Sequence, residues 1–242
     1  MADKALIIIP TYNEIENITL IVKAVLSQNN SYHVLVIDDG SPDGTADAVI
    51  ELQQEYHEKV ALIQRPQKSG LGTAYIRGFK YGIEHQYDYI IEMDADFSHE
   101  PSKVPSLIGA CKAGADVAVG SRYVKGGGIK DWPMDRLILS YGASLFVRAI
   151  TWMPVKDTTA GFVCYKRSVL ETMRLDEVKF VGYAFQIEMK YTLYRLGYKI
   201  VEVPIIFKDR VRGDSKMDTS IVKEAILGVF GMRFRSYTKV GS

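Results

Sequence analysis

Tyr89-Ile90-Ile91-Glu92-Met93-Asp94-Ala95-Asp96-Phe97-Ser98 sets a short apolar run directly against two carboxylates in i, i+2 spacing. Residues 89–93 read as a buried strand, so the acidic pair falls at its carboxyl end, where open α/β sheets bind ligands. Two carboxylates placed there can reach one hard cation, Mg²⁺ or Mn²⁺, which keeps open positions for phosphate oxygens. The competing reading is a capped turn, with Asp96 or Ser98 accepting from backbone N–H groups of a helix near Pro101.

The same unit repeats on either side. Residues 5–9, 34–37, 60–63 and 117–120 are strand-like runs, and 17–26, the segment from 45, 72–83 and 102–111 carry helical spacing. Such alternation predicts an α/β fold, a mostly parallel sheet with helices on both faces. The second half is less regular. The glycines at 126–128 mark a loop, 137–153 and 183–196 read as helices, and 162–165 and 200–207 as strands. With no repeat or low-complexity linker, residues 1–236 read as one domain, its halves near 1–122 and 123–218, closed by an amphipathic helix over 219–236.

Composition narrows the partners. Thirty basic against twenty-nine acidic residues leave no global field for nucleic acid or an anionic surface, so any charge that matters is local. Cys111 and Cys164, the two cysteines, lie in apolar runs and read as small core residues of a reducing compartment. The chain enters a strand almost at once, which argues against a signal peptide. No stretch reaches the roughly 18 apolar residues a membrane span needs. The expectation is a cytoplasmic protein, at most peripheral to a membrane.

Two further loops are ambiguous alone. Asp38 and Asp39 end the second strand, where an acid can meet a ribose or base; equally, Asp38, Asp39 and Asp43 can merely shape a glycine-containing turn. Lys68-Ser69-Gly70-Leu71-Gly72 opens a helix and can approach phosphate, but it is neither a Walker loop nor a full dinucleotide fingerprint.

Taken in order, Pro10-Thr11-Tyr12-Asn13-Glu14, the 36–45 segment with Asp38-Asp39-Gly40-Ser41, and Asp94-Ala95-Asp96 resemble glycosyltransferase family 2. Ser98-His99, Gly120-Ser121-Arg122-Tyr123, Asp157-Thr158-Thr159-Ala160-Gly161-Phe162, Gly182-Tyr183-Ala184-Phe185-Gln186 and the 209–216 segment narrow the resemblance to polyprenol-phosphate mannosyltransferases without transmembrane helices. It spans about residues 6–230.

That resemblance implies a GT-A fold, GDP-mannose as donor and a polyprenyl phosphate as acceptor. It implies that Pro10, Tyr12, Glu14, Ile37 and Asp39 hold base and ribose. Asp94, Ala95 and Asp96 would hold metal and diphosphate, with Ser98 completing the metal shell. Arg122, Arg210 and Lys216 would close on the diphosphate, and Arg136 and Ser140 would meet the acceptor phosphate. Asp96, Arg122 and Arg136 are then the catalytic set. Independently, Arg210 and Lys216 sit in a polar loop after an apolar strand, suited to folding over a diphosphate.

Relatives that glycosylate hydroxyls use an acidic base from a Glu-Asp pair on the acceptor helix. Here that helix reads Tyr183-Ala184-Phe185-Gln186-Ile187-Glu188, without the pair. A hydroxyl must lose its proton in the transition state, whereas a phosphate monoester, with a second pKa of about 6, is already a dianion. Unless Glu188 turns inward, the helix favours a phosphate acceptor and a single inverting displacement. The apolar residues of 137–153 and 220–234 can lie in a membrane interface or pack on the core. The alternatives are another donor such as UDP-glucose, a non-lipid acceptor, or a non-catalytic nucleotide-sugar binder. A sugar-phosphate nucleotidyltransferase would need a glycine-rich loop where Pro10–Glu14 stands.

Overall fold

Alternate residues of the first strand feed two different cores. Ile7 and Ile9 pack on one face with Val34, Val36 and Ile91, while Leu6 and Ile8 pack on the other with Leu35, Ile37 and Ile90. A strand buried on both faces is the reason these runs read as continuously apolar. The computed structural model describes residues 3–182, 184–208 and 228–240. The main elements are β1 (Ala5–Thr11), α1 (Ile18–Leu26), β2 (Tyr32–Asp38), α2 (Thr45–Tyr56), β3 (Val60–Gln64), α3 (Leu71–Glu84), β4 (Tyr89–Glu92) and α4 (Val104–Lys112). They continue as β5 (Val117–Ser121), β6 (Gly128–Lys130), α5 (Met134–Thr151), β7 (Val163–Lys166), α6 (Arg167–Glu171), α7 (Ala184–Arg195), β8 (Ile200–Pro204) and β9 (Ile206–Lys208).

Among the described residues the main sheet runs β3-β2-β1-β4-β7-β5-β8. All its pairs are parallel except those of β7, which runs antiparallel to both β4 and β5. Helices α1, α2 and α4 cover one face; α3, α6 and α7 cover the other. A third cluster joins Val147 of α5, Ile187 and Tyr191 of α7, and Val229 and Met232 of the helical stretch 228–234. The mostly parallel α/β reading therefore holds.

Three expectations need correction. The run at 200–207 is two strands: β8 ends its pairing at Pro204, and β9 leaves the main sheet to pair with β6. Proline has no N–H to continue a ladder, which explains the break there. The glycines at 126–128 are not wholly loop, since Gly128 starts β6. Gly127 is needed for close approach, because a Cβ on it would lie 2.6 Å from Ser121 O. Helix α5 begins at Met134, so Arg136 lies inside its first turn rather than before it. Cys111 and Cys164 are buried core thiols, Sγ to Sγ 3.8 Å apart and unlinked.

The buried face of α3 alternates the large rings of Tyr75 and Phe79 with the small Gly72, Ala74, Gly78 and Gly82. A Cβ on Gly78 would stand 2.7 Å from two carbons of Ile8. Alanine would gain about 1 kcal/mol of helix propensity, yet overpacking a tight core costs about 1–3 kcal/mol. Gly78→Ala is thus expected to lower stability in urea melts; a rise would mean that α3 can lift off the sheet freely.

Candidate active site

The register sets the loops after β1, β2 and β4 at one edge, with Thr11 opposite Asp38 and Ile8 opposite Glu92. Parallel β3 and β5 send Arg65 and Arg122 to the same edge. Because β7 is antiparallel, it enters the sheet there, so the preceding segment 157–162 joins them. One inverted strand thus brings a sixth loop to a site otherwise made of strand carboxyl ends.

The acidic pair leaves β4 through a tight turn in which Phe97 has φ +60°. Asp96 Oδ1 accepts the Ser98 N–H at 3.0 Å. Asp96 is nearly buried, whereas the Asp94 side chain is 40% exposed and its Oδ1 receives the Tyr75 hydroxyl at 3.4 Å. Burial pushes the Tyr75 phenol well above its usual value, so it remains a donor. His99 Nδ1 accepts the Asp94 N–H at 3.1 Å. The same nitrogen lies 3.7 Å from Asp94 Oδ2. The ring is held by stacking on Phe162, centroids 4.9 Å apart.

Asp96 Oδ1 bonds within the turn rather than to the helix start. The 3₁₀ turn from Pro101 has no side-chain cap, and Ser98 Oγ is buried without a hydrogen-bond partner among the described residues. A buried hydroxyl with no partner is costly unless something else uses it. Two carboxylates and a hydroxyl are hard oxygen donors, the set that suits Mg²⁺ or Mn²⁺. Among the described residues no three His, Cys, Asp or Glu side chains converge.

At the ends of β1 and β2 the aspartates divide their work. Asp38 accepts from Thr11 Oγ1 (2.9 Å), Ser41 N (2.9 Å) and Ser41 Oγ (2.5 Å). Asp43 accepts from Ile15 N and from Thr45 N and Oγ1. These two shape the turn. Asp39 instead takes Arg65 Nε on Oδ1 at 2.5 Å, leaving Oδ2 without a hydrogen bond among the described residues. Arg65 also donates to Thr73 Oγ1 and Gly70 O, which ties Asp39 to the start of α3. Lys68 lies 5.3 Å from the Tyr12 ring. Asn17 Nδ2 donates to Glu14 Oε2, and the Glu14 N–H reaches Thr45 Oγ1, which stitches the two loops together. Pro10 is half-buried beside them, and the Ile37 side chain is fully in the core, so only its backbone is available to a ligand.

Arg122 is nearly buried and locked. Its Nε and Nη2 reach Asp157 Oδ2 and Oδ1 at 2.7 and 2.5 Å, and Nη2 also reaches Thr159 Oγ1. Burial opposes the charge, but the Asp157 partner outweighs it and raises the Arg122 pKa. Nη1 makes no hydrogen bond among the described residues. The guanidinium lies 5.1–5.6 Å from the rings of Tyr123, Trp132 and Phe207. Arg136 stacks on the same Trp132 at 4.0 Å. Ser140, one turn further along α5, accepts the Tyr123 hydroxyl at 2.9 Å. Trp132 thus brings Arg122 and Arg136 together, and Tyr123 ties Ser140 to them. Arg210 and Lys216 lie outside the described residues, as does the first half of 219–236, residues 219–227.

Glu188 does not turn toward this cleft. Its Oε2 accepts the N–H groups of Lys179 and Phe180, and its Oε1 pairs with Arg235 at 2.5 Å. Beneath the cleft, sequence reading overlooked a polar cluster. Glu92 Oε2 accepts Gln186 Nε2 at 2.6 Å and its Oε1 accepts the Tyr165 hydroxyl at 3.1 Å. Lys190 donates to Ala160 O at 2.6 Å, Gln186 O at 2.9 Å and Gln186 Oε1 at 3.3 Å. Burial pushes Glu92 up to about 7 and Lys190 down to about 8, each opposed by the other's charge. The available signal was a glutamate inside an apolar strand, with Gln186 and Lys190 one turn apart on a helix face otherwise facing the core.

The model of the family described as Glycosyl transferase family 2 matches residues 6–174. Polyprenol monophosphomannose synthase of Mycolicibacterium smegmatis is 44% identical over 96% of this chain and 88% of its own length. Undecaprenyl-phosphate mannosyltransferase of Micrococcus luteus is 42% identical over 93% and 92%. Among solved structures, glucosyl-3-phosphoglycerate synthase of Mycobacterium tuberculosis, in complex with Mn²⁺, UDP-glucose and phosphoglyceric acid, aligns with TM-score 0.70 at 18% identity, over 96% of this chain and 80% of that one. That last likeness speaks to the fold.

Proposed function

The chain belongs to glycosyltransferase family 2 and has the GT-A fold, and from that premise we propose that it transfers mannose from GDP-mannose to a polyprenyl phosphate with inversion. The observation that carries the acceptor half of this reading is the commitment of Glu188. Held by two backbone N–H groups and Arg235, it is not placed to deprotonate a hydroxyl, which suits an acceptor that arrives as an anion. The relatives named for polyprenol and undecaprenyl phosphate support the same acceptor class.

In this reading Pro10, Tyr12, Glu14, the Ile37 backbone and Asp39 bind base and ribose, with Oδ2 of Asp39, which makes no hydrogen bond among the described residues, as acceptor. Asp94, Asp96 and Ser98 would hold Mg²⁺ or Mn²⁺ beside Ala95, and such an ion would supply positive charge to the departing diphosphate. Arg122 Nη1, with Arg210 and Lys216, adds hydrogen bonds to that leaving group. Arg136 and Ser140, one turn apart near the start of α5, orient the lipid phosphate. An oxygen of that phosphate attacks the anomeric carbon from the face opposite the diphosphate, so one displacement inverts the centre.

Helix α5 also suits a lipid surface. Met134, Ile138, Tyr141, Leu145 and, just beyond it, Trp152 are all more than half exposed, spaced as one helical stripe. Phe234 is 86% exposed, and Arg233 stacks on Trp152 at 4.4 Å. Among the described residues no helix is long and apolar enough to cross a membrane. The proposed seating is peripheral, with the stripe in the interface and the arginines at headgroup level.

The test is transfer of labelled mannose from GDP-mannose to polyprenyl phosphate in vesicles, with Mg²⁺ or Mn²⁺ and then with chelator. Labelled β-mannosyl lipid that disappears with chelator is the expected result. An α-linked product would rule out the single displacement, and label accepted only from another nucleotide-sugar would replace the donor. Protein that stays at the bottom in vesicle flotation would remove the interfacial role of α5.

A further inference from the structure

The Glu92, Gln186 and Lys190 cluster joins β4 to α7 outside the carboxylates of the proposed metal site, and it links the segments that flank them. Glu92 lies on β4, two residues before Asp94. Gln186 bonds it from α7, and Lys190, one turn later, delivers its ammonium to the carbonyl of Ala160. Ala160 stands in the segment whose Asp157 and Thr159 grip Arg122 and whose Phe162 stacks on His99, the acceptor for the Asp94 N–H. Gly161 packs between His99 and Gln186; a Cβ there would lie 3.6–3.7 Å from both.

Glu92 and Lys190 are both fully buried. Burying opposite charges carries a desolvation penalty, and well-packed apolar residues in their place are often neutral or stabilising. Stability alone therefore gives poor grounds for this cluster. What it does supply is geometry. All three donors of Lys190 are used, and both oxygens of Glu92 are bonded. Such a network has one satisfied arrangement, and that arrangement sets the height of the 157–162 segment relative to the end of β4.

We infer that Glu92, Gln186 and Lys190 are positioning residues that hold the Arg122-bearing side of the cleft in register with the Asp94–Asp96 side. Because the two sides would meet across the diphosphate, a shift of one against the other is felt in the chemical step more than in donor binding. This rests on the proposed transfer for its kinetic consequence but not for its structural one.

The variant to make is Glu92→Gln with Lys190→Met, which removes both buried charges together and leaves neither orphaned. Amide exchange in the ligand-free protein is expected to be about tenfold faster across 157–162, with α1 and β2 unchanged. The kcat is expected to fall about 100-fold while the donor KM stays within about threefold. Should the double variant fail to fold, Gln186→Met cuts the same link without touching a charge and is read the same way. A folded variant with kcat within about threefold of the parent, or with unchanged exchange at 157–162, overturns the inference. A parent protein that transfers no mannose defeats the functional reading instead, and exchange alone then decides the network.

Discussion

Asp96→Asn is expected to lower transfer by about a thousandfold while leaving the melting temperature nearly unchanged. The argument turns on what the amide keeps and what it loses. Asp96 Oδ1 accepts the Ser98 N–H within the turn, and an asparagine carbonyl can accept that bond equally well, so the turn survives. What disappears is a negative charge on a nearly buried side chain beside Asp94. In the proposed mechanism that charge holds the divalent ion, and the ion's stabilisation of the departing diphosphate is worth several kcal/mol. The measurement is labelled transfer beside a thermal melt of the same preparation. Near-normal turnover with an intact fold would show that the acidic pair is a structural turn.

The largest expected effect on stability comes from the other side of the cleft. Asp157→Ala removes both contacts to the Arg122 guanidinium and the acceptor for the Arg122 N–H. Asp157 is fully buried and the Arg122 side chain is 8% exposed, so the cation has little water to fall back on. Breaking such a pair from one side costs about 3–5 kcal/mol, a large part of the 5–15 kcal/mol roughly typical of a domain. Urea denaturation measures it. A loss under about 1 kcal/mol would mean that Arg122 is solvated and free to swing, and its placement would then owe nothing to Asp157.

The particular residues show how far sequence reading reached. The acidic pair after β4 was legible because a buried parallel strand must be apolar along its length, so polar residues mark where it ends. The division of roles between Asp38 and Asp39 was not legible from the loop itself, since both are aspartates beside a glycine turn. Only the placement of Arg65 from the end of β3 separates the turn former from the candidate ligand. Glu188 could be seen as an acid on the acceptor helix, but its direction depends on Arg235, 47 residues away.

Local pattern by itself determined the alternation of strands and helices through β5, the mostly parallel sheet, the strand end at which the acidic pair falls and the absence of a Glu-Asp pair on α7. Those follow from periodicity and from which side chains can end a buried strand, both of which are properties of neighbours in the chain. Tertiary structure alone decided that β7 is inverted, that β9 leaves the main sheet for β6, and that Arg122 is bound to Asp157. It also decided that Glu92 and Lys190 are linked through Gln186 under the cleft. Each of these is a pairing across tens of residues, chosen by burial. A charged group removed from water must find its partner wherever the fold brings one, and no local pattern encodes where that is.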